Sequence, residues 1–154
     1  MNPEGLLAAV LAIESKAGRR EACDRAAVSI PVEALAGFMR KLRDEPPLAF
    51  DMLLTHTGVD YPADNRIDLI YQLYSLKHAH YLMVTTSVKR DAPEAPSVSS
   101  IWRIAEWQER EVYDLLGVLY SGHPDLRRLF LDDQWKGFPL RKDYKDDFML
   151  ERPE

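Results

Sequence analysis

Two apolar stretches separated by only four residues constrain the fold of this chain more than any other feature. The stretches "RIDLIYQLYSL" (residues 66–76) and "YLMVTTSV" (residues 81–88) are rich in the β-branched and aromatic residues that favour strands. The connection from Lys77 to His80 has the length of a hairpin loop. We therefore predict two antiparallel neighbouring strands, and the other elements must pack against the sheet that they begin.

The segments before this hairpin alternate between helical and extended patterns. An amphipathic helix is predicted at the amino terminus, with Gly18 as its C-cap, and a short strand follows over residues 28–32. A further strand starts at Phe50 and ends in a turn-rich break over residues 58–65. Between these strands Pro31 opens a second helix, which ends before Pro46 and whose apolar face comprises Leu35, Phe38, Met39 and Leu42.

After the hairpin, the loop "KRDAPEAPS" leads into a third helix over residues 98–116, with Gly117 as its cap. This order of elements predicts an α+β fold, a two-layer sandwich of helices on one face of a mostly antiparallel sheet, nearest to the ferredoxin-like type. Residues 1–117 are predicted to form the core domain. The inner side of the third helix is predicted to comprise Ile101, Ile104, Ala105, Gln108, Val112, Leu115 and Leu116.

Composition narrows the classes of protein to consider. A chain of 154 residues with 46% hydrophobic and 29% charged residues fits one globular domain, and a net charge of -5 argues against nucleic acid as a partner. Cys23 is the only cysteine, which excludes an internal disulfide and favours a reducing compartment. The apolar stretch over residues 6–13 is shorter than the roughly 20 residues that span a bilayer. We expect a cytoplasmic protein without direct membrane insertion.

Neither histidines nor carboxylates form a recognisable reactive site. His78 and His80 could supply half of a metal site, but no third ligand is near in the sequence, so no metal and no cofactor are predicted. In "EREVYD" and the residues before it, Glu106, Arg110 and Asp114 are spaced four apart and should form helix-surface ion pairs that keep the carboxylates ionised. No catalytic residue is predicted, and this polar face should orient the segment that follows. A free-standing small-molecule enzyme that uses these carboxylates remains the rival hypothesis.

The carboxyl-terminal segment, residues 118–154, has no regular period. It includes "GHPDLRRLFL" and "GFPLRKDYK", which mix glycine, proline and paired basic residues with large apolar side chains. A disordered tail would be poor in such side chains, and arginines and aromatics are favoured interface anchors. We therefore predict an extended segment whose apolar groups are buried against another protein.

The stretch "WQEREVYDLLGVLYSGHPDLRRLFLDDQWKGFPLRKDY", from Trp107 to Tyr144, closely resembles the signature of one protein family. The family is the 30-kilodalton subunit of proton-pumping NADH:quinone oxidoreductase, respiratory complex I, where it is also called the C subunit. The chain differs from the family pattern at Leu116, Phe138 and Lys145, where phenylalanine, histidine and proline are usual.

The resemblance implies a structural subunit of the hydrophilic arm that carries no redox centre. Its carboxyl-terminal part would pack against the quinone-site subunit of the 49 kDa type, near the subunit that holds the terminal iron–sulfur cluster. The protein would then be peripheral on the cytoplasmic face of the inner membrane. The predicted partner-interface residues are Glu109, Arg110, Asp114, His123, Pro124, Asp125, Arg127, Arg128, Trp135, Pro139, Leu140, Arg141, Lys142, Asp143 and Tyr144.

The electron donor of such a complex stays open. Energy-converting membrane-bound hydrogenases and ferredoxin- or deazaflavin-dependent oxidoreductases use homologous subunits. The alternative is therefore a homologous subunit of one of these assemblies.

Overall fold

A computed structural model describes residues 2–21 and 24–147 of the chain. The predictions that concern Cys23 and residues 148–154 lie outside these residues. The main sheet has five strands in the order β1-β2-β5-β4-β3, and two further strands form a separate small sheet. The strands are β1 (Gly18–Arg19), β2 (Ala27–Ser29), β3 (Met52–Tyr61), β4 (Arg66–Ser75), β5 (His80–Lys89), β6 (Glu94–Pro96) and β7 (Leu119–Ser121).

The predicted hairpin forms the centre of the sheet. β4 and β5 pair antiparallel over their full length, from Ser75 opposite His80 to Arg66 opposite Lys89. β3 pairs antiparallel with the other edge of β4, whereas β2 runs parallel to β5. The buried side chains of β4, among them Ile67, Leu69, Tyr71 and Leu73, alternate along the strand and define the inner face of the sheet.

The first two helices begin where the sequence predicts them. α1 (Pro3–Ile13) starts with Pro3 in its first turn, and Asn2 caps it by accepting the N–H of Gly5 at 2.8 Å. The prediction that Gly18 caps α1 is wrong, because α1 ends at Ile13 and Gly18 pairs with Ser29 as part of β1. A single 3-10 turn, Val32–Ala34, leads into α2 (Leu35–Asp44), which buries the four predicted apolar residues.

β3 is longer than predicted, because the sequence predicted that the strand ends at Gly58. The strand continues through Gly58 to Tyr61, and only Pro62–Asp64 forms the expected turn. A Cβ atom at Gly58 would lie 2.6 Å from Cδ1 of Leu116. The glycine therefore permits close approach of a helix to the sheet, which is a common reason for glycine inside a strand.

The third helix is shorter than predicted. α3 (Ala105–Leu116) begins seven residues after the predicted start, because residues 98–104 form turns that place the Trp102 indole against the Phe50 carbonyl at 3.1 Å. Gly117 caps the helix with a φ of 80°, as predicted. The inner side of α3 differs from the predicted one, since it buries the charged residues Glu109, Arg110 and Asp114.

The small second sheet was not predicted. β6 lies within the predicted loop and pairs in parallel with β7, which begins two residues after Gly117. Each strand has three residues, too few for a visible alternation. Val118 and Tyr120 are almost completely buried, and the Tyr120 hydroxyl lies 2.6 Å from Nε2 of His56. We therefore propose that the folded core extends to Ser121, and we call residues 122–147 the tail.

The predicted fold class is confirmed. Buried residues of α1, α2 and α3 belong to one continuous cluster with the inward-facing residues of β4 and β5. The helices thus cover one face of a mostly antiparallel sheet. This arrangement places the carboxyl-terminal half of α3 over β3, where the tail begins.

Removal of β7 should damage the core, whereas removal of the tail should not. A chain ended after Gly117 loses the side chains of Val118 and Tyr120, and burial of one large side chain contributes about 3 kcal/mol or more. We expect this truncation to aggregate and a chain ended after Ser121 to melt cooperatively. Thermal unfolding by circular dichroism and size-exclusion chromatography distinguish the two, and a stable chain ended after Gly117 would place the boundary where the sequence predicted it.

Candidate docking surface

The tail runs along α3 from Glu106 to Leu116 and then reaches the edge strand β3. Most of its residues are partly or fully exposed, but the His123 imidazole is buried, Leu126 packs against the core and Phe138 packs against Gly117. The backbone of the tail also forms many hydrogen bonds with the core. These bonds and this packing together determine the path of the tail.

One buried carboxylate holds the middle of the tail. Oδ2 of Asp114 accepts the N–H groups of Leu129, Phe130 and Leu131 at 3.0, 2.7 and 3.0 Å. Oδ1 accepts a hydrogen bond from Arg128 at 2.8 Å. Burial alone would raise the pKa of Asp114, but the bonds from Arg128 and the three amides outweigh it and hold the pKa below its ordinary value. The three N–H groups therefore face a permanent negative charge.

Two arginines hold the tail carbonyl groups. Arg110 donates to the carbonyl oxygens of Arg127 and Arg128 at 3.1 and 2.9 Å. Arg128 donates to the carbonyl oxygens of Trp135 and Gly137 at 3.1 and 3.3 Å. Guanidinium groups suit this task, because they present several donors in a fixed plane.

The predicted helix-surface ion pairs are wrong. Among the described residues, Arg110 forms no ion pair with Glu106 or Asp114, and Asp114 pairs with Arg128 instead. The prediction assumed a solvated helix face. In the structure this face lies under the tail, so tertiary partners replace neighbours along the helix.

The last part of the tail is fixed to β3 by a second buried carboxylate. Asp60 accepts the backbone N–H of Lys142 at 2.9 Å and two bonds from Arg90 at 2.7 and 3.1 Å. Arg90 also pairs with Asp143, and its bonds to Asp60 lower the pKa of that carboxyl group. Sequence reasoning missed Asp60 and Arg90, because no local pattern connects positions 60 and 142.

Phe138 packs where the two parts of the tail meet. A Cβ atom at Gly117 would lie 2.5 Å from its ring, so the glycine cap also makes room for the phenylalanine. The guanidinium carbons of Arg128 and Arg141 lie 5.4 and 5.0 Å from the ring centre. Arg141 donates to the Leu116 carbonyl at 2.8 Å. Phe138, where the family usually has histidine, is thus an internal packing residue.

The first part of the tail is attached through His123. Its Nε2 donates to the Glu106 carbonyl at 3.0 Å, and its Nδ1 accepts the N–H of Asp125 at 3.0 Å. Glu109 lies next to this imidazole without any exposed surface. Burial raises the pKa of Glu109 to about 7.

Three large apolar side chains of the tail are exposed among charged residues. Phe130 is 64% exposed, Leu140 57% and Trp135 38%. The predicted interface residues fall into two groups. The first group makes contacts between the tail and α3 and comprises Glu109, Arg110, Asp114, His123, Arg128 and Arg141. The second group is exposed or half-exposed. Besides Trp135 and Leu140 it comprises Pro124, Asp125, Arg127, Pro139, Lys142, Asp143 and Tyr144.

Within residues 2–21 and 24–147, no group of three or more histidine, cysteine or acidic residues is placed to hold a metal ion. Nε2 of His78 and Nε2 of His80 donate to the carbonyl oxygens of Pro46 and Leu48 at 2.8 and 2.9 Å. The same residues contain no helix of the length and apolarity needed to cross a membrane.

Two adjacent arginines should respond very differently to substitution. Arg128→Ala leaves the buried Asp114 carboxylate without its charged partner, which typically costs about 3 kcal/mol. Arg127→Ala removes only an exposed pair with Asp125 and should cost less than about 1 kcal/mol. Chemical denaturation of the isolated chain measures both. Equal losses would show that the contacts of Arg128 do not hold the tail.

Comparison with known proteins agrees with this geometry. The family model described as "Respiratory-chain NADH dehydrogenase, 30 Kd subunit" matches residues 28–147. The C subunit of the NADH-quinone oxidoreductase of Chlorobium phaeobacteroides is 45% identical over 105 residues, which are 68% of this chain and 63% of that protein. A combined C/D subunit from Phocaeicola vulgatus is 44% identical over 120 residues, 77% of this chain but 22% of the relative. The chain spans about half to two thirds of the length of the first two relatives that it matches.

Two solved structures share the fold. A chain of the archaeal membrane-bound sulfane sulfur reductase superposes with a TM-score of 0.79 at 26% identity, covering 92% of this chain and 85% of that one. The trypsin-resistant fragment (1-134) of Nqo5 superposes with a TM-score of 0.64 at 28% identity, covering 82% of this chain and all of the fragment. The resemblance found in the sequence is confirmed, and the chain belongs to the family of the respiratory-chain NADH dehydrogenase 30 Kd subunit.

Proposed function

We propose that this chain is a structural subunit of a proton-pumping NADH:quinone oxidoreductase of the complex I type. Its role is to dock through the tail on a neighbouring subunit and so support electron transfer to quinone. In this proposal it carries no redox centre and has no active site of its own. It is peripheral on the cytoplasmic face of the inner membrane through the complex.

One observation carries the proposal. The backbone of the tail is bound within the chain by Asp114, Arg110 and Asp60, while the tail turns Phe130, Trp135 and Leu140 towards solvent. A segment that only covered its own core would turn its largest apolar side chains inward. Exposed aromatic and aliphatic side chains on a fixed backbone instead suit the centre of a protein interface.

The relative from Phocaeicola vulgatus supports a particular partner. Its name combines the C and D subunits, and the matched region is less than a quarter of its length. A chain that joins the two subunits must allow them to lie side by side. We therefore propose that the main partner is the quinone-site subunit of the 49 kDa type, which corresponds to the D part of such a chain. The subunit with the terminal iron–sulfur cluster lies near it in this proposal.

A second candidate is a homologous subunit of an energy-converting hydrogenase or of a ferredoxin- or deazaflavin-dependent oxidoreductase. The likeness to a chain of the archaeal sulfane sulfur reductase favours it, because that respiratory membrane complex shares this fold. Identification of the proteins that purify with the chain from its native membrane separates the two. The rival of a free-standing enzyme that uses the "EREVYD" carboxylates has little support from geometry, since Glu109 and Asp114 have no exposed surface and Glu111 alone of the three is exposed.

The docking surface can be tested by removal of its apolar side chains. The variant carries Phe130→Ser, Trp135→Ser and Leu140→Ser, and the matched control is Leu76→Ser, which changes a 65% exposed leucine in the β4–β5 turn. We expect the triple variant to keep the melting temperature of the isolated chain and to lose at least about 100-fold in affinity for the quinone-site subunit, because interface anchors contribute about 2 kcal/mol or more each.

The control should bind like the wild type. Titration of both variants with the quinone-site subunit, and their recovery in the complex, provide the measurement. Unchanged binding of the triple variant would contradict docking through the tail. Equal losses in the triple variant and in Leu76→Ser would point to a different surface.

A further inference from the structure

The start of the tail depends on a histidine that lies beside a buried carboxylate. Nε2 of His123 lies 3.8 Å from Oε2 of Glu109, and 1% and 0% of these two side chains are exposed. The same Nε2 donates to the Glu106 carbonyl, while Nδ1 accepts the N–H of Asp125. His123 therefore joins the first tail residues to α3 only as a neutral imidazole whose Nδ1 is free to accept.

A pair of hydroxyl groups lets Glu109 hold a proton without movement of heavy atoms. Its Oε2 lies 2.6 Å from Oγ of Ser97, which lies 2.7 Å from Oγ of Ser99. When Glu109 is ionised, Ser97 donates to it. When Glu109 is protonated, its O–H donates to Ser97, and Ser97 donates onward to Ser99. Both forms of the carboxyl group are thus hydrogen-bonded.

Hydrogen bonds from the Ser97 hydroxyl at 2.6 Å and the Val98 N–H at 2.7 Å stabilise the ionised form of Glu109, but burial outweighs them. Burial lowers the pKa of His56 to about 4 and raises the pKa values of Tyr71 and Tyr120, so these three are neutral near pH 7. The carboxylate of Glu106 repels the negative charge of Glu109 and so contributes to its raised pKa. Among the described residues, His123 is the only basic side chain in ion-pair contact with Glu109. The facing groups are Glu106 of α3, Ser97 and Ser99 before it, His56 of β3, Tyr71 of β4, Tyr120 of β7 and His123 of the tail.

We propose that Glu109 is a proton-binding site whose occupancy controls how tightly the start of the tail is attached to α3. Loss of the proton leaves a buried negative charge under the His123 imidazole, and water reaches this charge only when the first turn of the tail leaves α3. Deprotonation of Glu109 therefore releases the first turn of the tail, and protonation restores it.

The direction of the pH effect follows from linkage. Burial raises the pKa of Glu109 from 4.5 to about 7 in the folded chain, whereas release of the tail exposes the carboxyl group to water. A group whose pKa is higher in the folded state stabilises it at low pH, and this contribution is lost as the pH rises through about 7. The equilibrium constant for attachment of the first tail residues to α3 should therefore fall about tenfold between pH 6 and pH 8.

Nuclear magnetic resonance of the full isolated chain tests this proposal. The ¹³C shift of the Glu109 carboxyl carbon should titrate with a midpoint near pH 7. The protection of the Asp125 N–H against hydrogen exchange, corrected for the intrinsic rate, should fall about tenfold between pH 6 and pH 8. A Glu109 midpoint near 4.5, or constant protection of Asp125 in the wild type, would overturn the proposal.

Two isosteric variants separate this carboxyl group from its neighbours. Glu109→Gln should make the protection of Asp125 independent of pH, because the amide is neutral throughout. Glu111→Gln, on the exposed side of α3, should keep the wild-type profile. A wild-type profile in Glu109→Gln refutes the assignment. If Glu109→Gln does not fold, the two wild-type measurements still decide the question.

Discussion

The carboxylate of Asp114 is the contact on which the tail of this protein depends. A segment without helix or strand must still satisfy its backbone N–H and C=O groups, and here charged side chains of α3 and β3 do so. Asp114 alone accepts three consecutive N–H groups and a guanidinium. The charged residues of the motif have the spacing of a solvated helix face. In the structure they instead bind the backbone of the irregular tail from the inside.

This internal support gives the tail a fixed path although it contains no helix or strand. Bonds from Asp114, Arg110 and Asp60 fix the backbone at three places along the tail. Phe130 at the Asp114 contact, and Trp135 and Leu140 between that contact and the Asp60 contact, nevertheless remain exposed. A backbone that is ordered before binding reduces the entropy cost of association, so a modest number of anchors is sufficient. Phe138 contributes to this arrangement, because its ring packs on Gly117 and lies near the guanidinium groups of Arg128 and Arg141.

The sequence predicted the parts of the fold that local chemistry determines. The β4–β5 hairpin, the buried face of α2 and the Gly117 cap follow from short-range patterns, and all are present. The end of β3 was predicted wrongly at Gly58. In a single sequence, a glycine that permits close helix packing cannot be distinguished from a glycine in a turn. The motif gave Arg110 the wrong partners, because the tail covers the helix face that the prediction left in solvent. The contact of Asp60 with Lys142 joins residues 82 positions apart, and no periodicity in a single sequence reveals such a contact.

Hydrogen exchange at Leu129, Phe130 and Leu131 in the isolated chain tests the central claim most directly. If Asp114 orders the tail before any partner binds, these three amides should be protected in the wild type, and the protection should disappear in Asp114→Asn. The β4–β5 amides should remain protected in both chains. Exchange of the three amides at the rate of an unstructured peptide in the wild type would contradict the account, because the tail would then take its form only on the partner.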